Sequence, residues 1–307
     1  MINVVRSLVR RLTRLRPRIV ATFLVRDERD IIGFNIEHCL ALGVDHIILT
    51  ENRSADGTAD LLREYERAEA VTLLREPGND YRQGEWVSRM ARLAATRFAA
   101  DWVFNLDADE FMWAAAGQPT TPRLLADAVG AVPREHGYCI IRREDMRIDP
   151  GSTADGWLEC NVLRDLNTLS WRSGQPLLPK VAHRADPQVT VADGNHHAHG
   201  PAIEPAGALS GRMVLLHFPD RGYRHYENKI RLGGAALLNR DTDSGVHWQE
   251  DFRRIEQGTL PDAYAARQVS AADLPAMLDS GRLIRETEFG QRMATLREHS
   301  SILRSFS

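Results

Sequence analysis

Four short apolar runs separated by amphipathic stretches fill residues 18–107 of this 307-residue chain, and that alternation constrains its fold more than any other feature. Residues 18–25 are β-branched and apolar without polar alternation, so they read as a short strand covered on both faces. Over residues 30–42, Ile31, Ile32, Asn35, Ile36, Cys39 and Leu40 recur at helical spacing, and Gly43 supplies the C-terminal stop. Residues 45–50 form a second strand, and the turn 52–58 can cap a helix over 59–68. Residues 70–74 are a third strand closed by Pro77 and Gly78; a helix over 84–99 leads to a fourth strand at 101–106. Strands alternating with helices predict an α/β fold: a mostly parallel sheet, helices on both faces and right-handed crossovers.

Ligands in such sheets sit beyond the carboxyl ends of the strands. Here those ends are Arg26, Asp27 and Glu28, then Glu51 and Asn52, then residues 107–110, and all are polar. After residue 120 the pattern thins. Residues 138–142 and 213–217 read as further strands around a Gly-, Pro- and His-rich stretch at 150–211, and from about 260 the chain is polar and helical. The expected organisation is a basic segment at 1–17, one domain over 18–255 with halves at about 18–115 and 116–255, and a helical extension at 256–307.

Composition excludes several classes. No apolar run approaches the roughly 20 residues that cross a bilayer. Cys39, Cys139 and Cys160 are widely spaced with no C-x-x-C pairing, so they read as buried apolar residues of a reducing compartment. Residues 1–18 hold six arginines and no acid, so the rest of the chain is acidic, which excludes a nucleic-acid partner.

The sharpest motif is Asp107-Ala108-Asp109, followed by Glu110 and Phe111. An apolar strand runs into two carboxylates spaced i, i+2, which extended backbone projects to one side. Two hard oxygen donors at a strand end suit Mn²⁺ or Mg²⁺, which binds one or two carboxylates plus substrate phosphates. Asp241-Thr242-Asp243 has the same spacing but follows no apolar strand and is set aside.

The motifs Val25-Arg-Asp-Glu28, residues 50–58 and Asn105-Leu-Asp-Ala-Asp-Glu-Phe111 resemble the glycosyltransferase family 2 group, in particular its bacterial D-x-D-E-F branch related to family 92. The resemblance covers about residues 18–115 and resumes at 216–223, where the branch carries a similar His-x-x-x-Arg-x-Tyr/Phe segment, with Lys229 beyond. It implies a GT-A (Rossmann-like) fold and a metal-dependent transfer of sugar from a nucleotide-diphosphate donor, UDP-sugar foremost, to a glycan or lipid-linked acceptor. By the same resemblance Asp107 and Asp109 hold the cation, with His217 as a further metal or phosphate contact. Arg26, Asp27, Glu28, Asn52, Ser54, Asp56, Arg221 and Lys229 would then contact the nucleotide-sugar. Many family 2 members carry paired aspartates where this chain has Glu51 and Asn52.

An inverting transfer also needs a carboxylate to take the acceptor's proton. Candidates are Glu110, Glu144, Asp145 and Asp220, beside the catalytic role of Asp109 at the cation, and no late acidic motif selects among them. Arg82 opens the helix before the fourth strand, where it either approaches a phosphate or is simply solvated. His196, His197 and His199, with His217, raise a metallohydrolase alternative, although no H-E-x-x-H spacing accompanies them. A nucleotidyltransferase, the alternative within the fold, would carry a Gly-rich loop after the first strand, and residues 26–30 contain no glycine. Val5, Leu8, Val9, Leu12 and Leu15 form an apolar stripe edged by arginine, the pattern of an interfacial helix on anionic lipid. That places the protein in the cytoplasm, in contact with the inner membrane face.

Overall fold

The computed structural model describes residues 16–78, 82–153, 156–170, 173–203, 207–237 and 246–306. The expected alternation is present almost residue for residue: β1 (Ile19–Val25), α1 (Ile32–Ala41), β2 (His46–Glu51), α2 (Thr58–Arg67), β3 (Val71–Arg75), α3 (Gln83–Thr96) and β4 (Trp102–Asp107). Beyond them come β5 (Glu110–Ala114), α4 (Leu124–Gly130), β6 (Tyr138–Ile141), β7 (Arg143–Arg147), α5 (Trp157–Cys160), β8 (Leu163–Asp165) and β9 (Lys180–Arg184). A small hairpin of β10 (Thr190–Val191) and β11 (Ala198–His199) precedes β12 (Gly207–Leu209) and β13 (Met213–His217).

The fold is mixed α/β around a seven-stranded sheet ordered β12-β6-β9-β4-β1-β2-β3, in which only β9 runs antiparallel to its neighbours. Ala21, Phe23 and Val25 on one side of β1 are buried, as are Val20 and Thr22 on the other, so both faces of the strand are covered. On the second face Val20, Ile48 and Val103 pack against Val87, Met90, Ala91 and Ala94 of α3. Truncating Met90 to alanine would cost about 2–5 kcal/mol there. Because β1 lies between β2 and β4, the order in which the strands are laid down reverses between β1 and β4, and the carboxyl ends of such neighbouring strands are where ligands of open α/β sheets sit.

By compactness the chain divides into two units. One unit comprises residues 1–143, 178–215 and 294–307; the other comprises 144–177 and 216–293. The last turns therefore belong with the first unit, where Ser300 Oγ donates to Glu37 and Leu303 lies beside Gly33 of α1. In the second unit β8 pairs antiparallel with β7 and with Leu283–Arg285, a strand the sequence reading did not expect in that polar region. Its core holds Leu163, Val269, Leu274 and Leu283, and a separate ring cluster joins Trp157, Phe218 and Phe289 at 5.1 and 4.7 Å between centroids. Asp251, fully buried, accepts two 2.9 Å bonds from Arg267; despite burial, these and the Tyr226 hydroxyl hold its pKa at about 2.

Candidate functional site

Asp107 is the last residue of β4, Ala108 and Asp109 form a turn, and Glu110 opens β5. The two aspartates therefore do not share one extended strand, contrary to the expectation from their spacing. What sets the turn is Asn35 on α1, fully buried, whose Nδ2 donates to the carbonyls of Ala108 at 3.0 Å and Glu110 at 2.9 Å. Asp107 keeps a third of its side chain exposed, whereas Asp109 is 4% exposed and Glu110 is fully buried.

Lys180, at the start of β9, reaches this turn from 73 residues away. Its Nζ donates to Asp107 Oδ2 at 2.6 Å and to the Gly194 carbonyl at 2.7 Å, and stands 3.3 Å from Glu110 Oε1. Two hydrogen bonds and one ion pair thus surround the ammonium. Burial pushes its pKa down, but Asp107 and Glu110 outweigh burial, and the value stands above the ordinary one. Arg143 Nη1 pairs with Glu110 Oε1 at 3.2 Å, and Asn195 Nδ2 donates to Asp107 Oδ1 at 3.0 Å. Glu110, offered by the sequence as a catalytic carboxylate, is fully buried and paired with both Arg143 and Lys180.

The loop carrying Gly194 and Asn195 is fastened to α3. Gly84 N donates to Asp193 Oδ1 at 2.8 Å, Gly194 N to Gln83 Oε1 at 3.1 Å, and Val191 N to Ser88 Oγ at 2.8 Å. A Cβ on Gly84 would stand 2.9 Å from the Val191 carbonyl, so this close approach needs glycine. Asn195 sits at φ +58°, a left-handed conformation that asparagine tolerates, and its buried Oδ1 has no hydrogen-bond partner. His196 Nδ1 donates to the Pro179 carbonyl at 2.8 Å; burial and the nearby Lys180 lower its pKa to about 4, leaving the ring neutral at physiological pH. His197 and His199 are exposed, and among the described residues no three His, Cys, Asp or Glu side chains converge as a metal site, at the histidine loop or at the Asp107–Asp109 turn.

The residues expected at the nucleotide end are knitted into one turn network. Asp27 N donates to Ser54 Oγ at 3.1 Å, and Asp27 Oδ1 accepts from Ala55 N at 2.7 Å. Asp56 accepts from Arg29 N at 3.0 Å and from Thr58 N at 2.9 Å, while Glu28 N donates to Thr58 Oγ1. Asn52 is buried, with both amide hydrogens spent on the carbonyls of Glu76 and Gly78 at 3.0 Å. These side chains fix the ends of β1 and β2, and Arg26 is left exposed beside Asp27 at 3.8 Å. Arg82 is exposed at the start of α3, 3.5 Å from Glu85.

The second unit holds the remaining candidates. Asp145, 2% exposed, lies 2.7 Å from His217 Nδ1, so the histidine expected as a metal or phosphate contact spends that nitrogen on a carboxylate. Glu144 is taken by Arg164. Asp220 accepts from Tyr264 at 2.7 Å, Gln268 at 2.8 Å and Gly222 N at 3.0 Å, a fully committed structural carboxylate. Arg221 Nη2 lies 2.6 Å from His225 Nε2, and Lys229 is half-buried on the helix Tyr223–Leu237.

A divalent cation fits the first unit's turn on its donor chemistry. Asp107 and Asp109 are two hard oxygen donors at a strand end, and the orphaned Oδ1 of Asn195 is a third oxygen on the amide that grips Asp107. Sequence reasoning missed Asn35, Lys180, Arg143 and Asn195. Lys180 alone left a signal, as one of two lysines among 39 basic residues.

The profile of Glycosyltransferase family 92 matches residues 23–197. No curated protein matches the chain. Among solved structures, it is similar to S. aureus TarS in complex with UDP, with 12% identity over 84% of this chain and 77% of that one and a TM-score of 0.41. It is also similar to glucosyl-3-phosphoglycerate synthase from Mycobacterium tuberculosis in complex with Mg²⁺ and UDP, with 17% identity over 79% and 85% of the two chains and a TM-score of 0.37.

Proposed function

The chain belongs to glycosyltransferase family 92, and from that premise we propose that it moves a sugar from a nucleotide-diphosphate donor, UDP-sugar foremost, to a glycan or lipid-linked acceptor with Mn²⁺ or Mg²⁺. The observation that carries the metal and donor reading is the position of Asp107 and Asp109 at the carboxyl edge of β4, beside β1, where the strand order reverses. Asp107 and Asp109 would hold the cation. When bound, it neutralises the charge that develops on the leaving diphosphate.

Lys180 and Asn195 orient Asp107, and Asn35 holds the turn that presents Asp109. Arg26, exposed at the end of β1, is the cation we assign to the nucleotide's phosphates; the turn tied by Asp27, Ser54, Asn52 and Asp56 shapes the nucleotide side. Within the second unit, Asp145 orients the His217 imidazole, and a carboxylate-oriented imidazole can take a proton from an acceptor hydroxyl. Arg221 and Lys229 stay assigned to the nucleotide-sugar on the resemblance of their segment. Residues 1–17 stay proposed as a contact with anionic lipid at the cytoplasmic membrane face; 1–15 lie outside the described residues, and Arg16 forms a two-bond pair with Asp45 at 2.9 Å. No helix among the described residues is long and apolar enough to cross a membrane.

A thermal-shift screen with UDP-, GDP-, CMP- and dTDP-sugars, each with and without Mn²⁺, tests the reading. A ligand at 100 times its Kd stabilises by about 2.7 kcal/mol. Stabilisation by one nucleotide class, enhanced by Mn²⁺, is expected; no response to any of them would overturn it.

A further inference from the structure

Three carboxylates, Asp107, Asp109 and Glu110, crowd one turn, Lys180 pairs with Asp107 and Glu110, Arg143 pairs with Glu110, and these five groups sum to a formal charge of −1. Lys180 is 1% exposed, so water and salt screen it little. Its Nζ donates to Asp107 Oδ2 and to the Gly194 carbonyl and pairs with Glu110 Oε1, and that carbonyl belongs to a loop tied to α3 by Gln83 and Asp193. The ammonium is therefore fixed against the first aspartate of the motif. In a chain where 37 of 39 basic residues are arginine, lysine stands at this position. Only a compact ammonium directs donors to three acceptors converging on one point, since a guanidinium is planar and forked.

We propose that Lys180 is a built-in cation that keeps the Asp107–Asp109 turn from retaining a divalent ion by itself, so that the ion is held tightly only together with a nucleotide diphosphate. The inference rests on the donor and metal reading above. Two opposed charge changes follow from the geometry. Removing Lys180 takes the formal charge from −1 to −2 and frees one side of Asp107 Oδ2, which strengthens the attraction for a dication. Neutralising Glu110 takes the charge from −1 to zero and weakens that attraction, while its amide can still accept from Lys180.

The test is calorimetric titration of Mn²⁺ into the full chain without nucleotide, for wild type, Lys180→Met and Glu110→Gln, with circular dichroism checking the fold of each. Lys180→Met is expected to bind free Mn²⁺ at least about tenfold tighter than wild type, and Glu110→Gln more weakly. Repeating the titration with saturating UDP should raise Mn²⁺ affinity strongly in wild type and less in Lys180→Met. A folded Lys180→Met with unchanged or weaker affinity for free Mn²⁺ overturns the inference. Should that variant not fold, Glu110→Gln decides alone, and an unchanged or tighter affinity overturns it. Failure of the underlying reading looks different, because wild type would then show no Mn²⁺-dependent response to any nucleotide-sugar.

Discussion

Replacing Asn35 with leucine tests whether the Asp107–Glu110 turn is held from behind by helix α1. The side chains are close in size, so the change removes hydrogen bonds without opening a large cavity. Two bonds are lost, from Nδ2 to the carbonyls of Ala108 and Glu110, at a position with no solvent exposure. A buried acceptor left without its donor costs about 1–3 kcal/mol, so two give a loss of roughly 2–4 kcal/mol at the lower end of that range. At about 2–4 °C per kcal/mol for a domain of this size, Tm should fall by about 4–16 °C. Asn35→Asp should be worse, because a carboxylate would face the same two carbonyls. Urea unfolding followed by circular dichroism and by tryptophan fluorescence measures the loss, and coincidence of the two signals checks that one transition is being read. Function should suffer beyond stability: stabilisation by nucleotide-sugar and Mn²⁺ should drop even at temperatures where the variant is fully folded, because Asp109 rides on the loosened turn. A loss below about 0.5 kcal/mol with full ligand response would refute the reasoning.

Asp109→Asn should abolish sugar transfer and the Mn²⁺-dependent thermal shift while leaving the unliganded Tm near wild type; near-normal turnover in saturating Mn²⁺ would remove the turn from the mechanism. His183 is fully buried, which lowers its pKa from 6.5 to about 4. Between those values the unfolded chain binds the proton that the folded one refuses, so stability present above pH 6.5 is lost as pH falls towards 4, by up to roughly 3 kcal/mol. His183→Gln should flatten that slope in urea unfolding from pH 4.5 to 7.5, and equal slopes would count against the assignment. Full-length protein should pellet with anionic vesicles at low salt and a chain starting at Pro17 should not; equal pelleting would remove the membrane role of the first residues.

What the sequence determined by itself is local. The β-branched runs became β1, β2, β3 and β4 within a residue or two, and the helical spacing of Ile32, Ile36 and Cys39 became α1, because each pattern is set by periodicity within a few residues. The polar strand ends and the Asp107–Asp109 pair were legible for the same reason, since an apolar strand running into carboxylates is visible in seven consecutive residues. Tertiary structure decided what those carboxylates are attached to. Strand β9 was hidden because Lys180, His183 and Arg184 interrupt its apolar pattern, and only burial between β4 and β6 makes it a strand. Lys180 and Asn195 meet Asp107 across 73 and 88 residues, and Asn35 meets the turn across 73 and 75. His217, read as a metal contact, met Asp145 across 72. Contacts at such separations carry no local period, so the chain could announce where its carboxylates stand, while the choice of their partners belonged to the packed sheet and the loops laid against it.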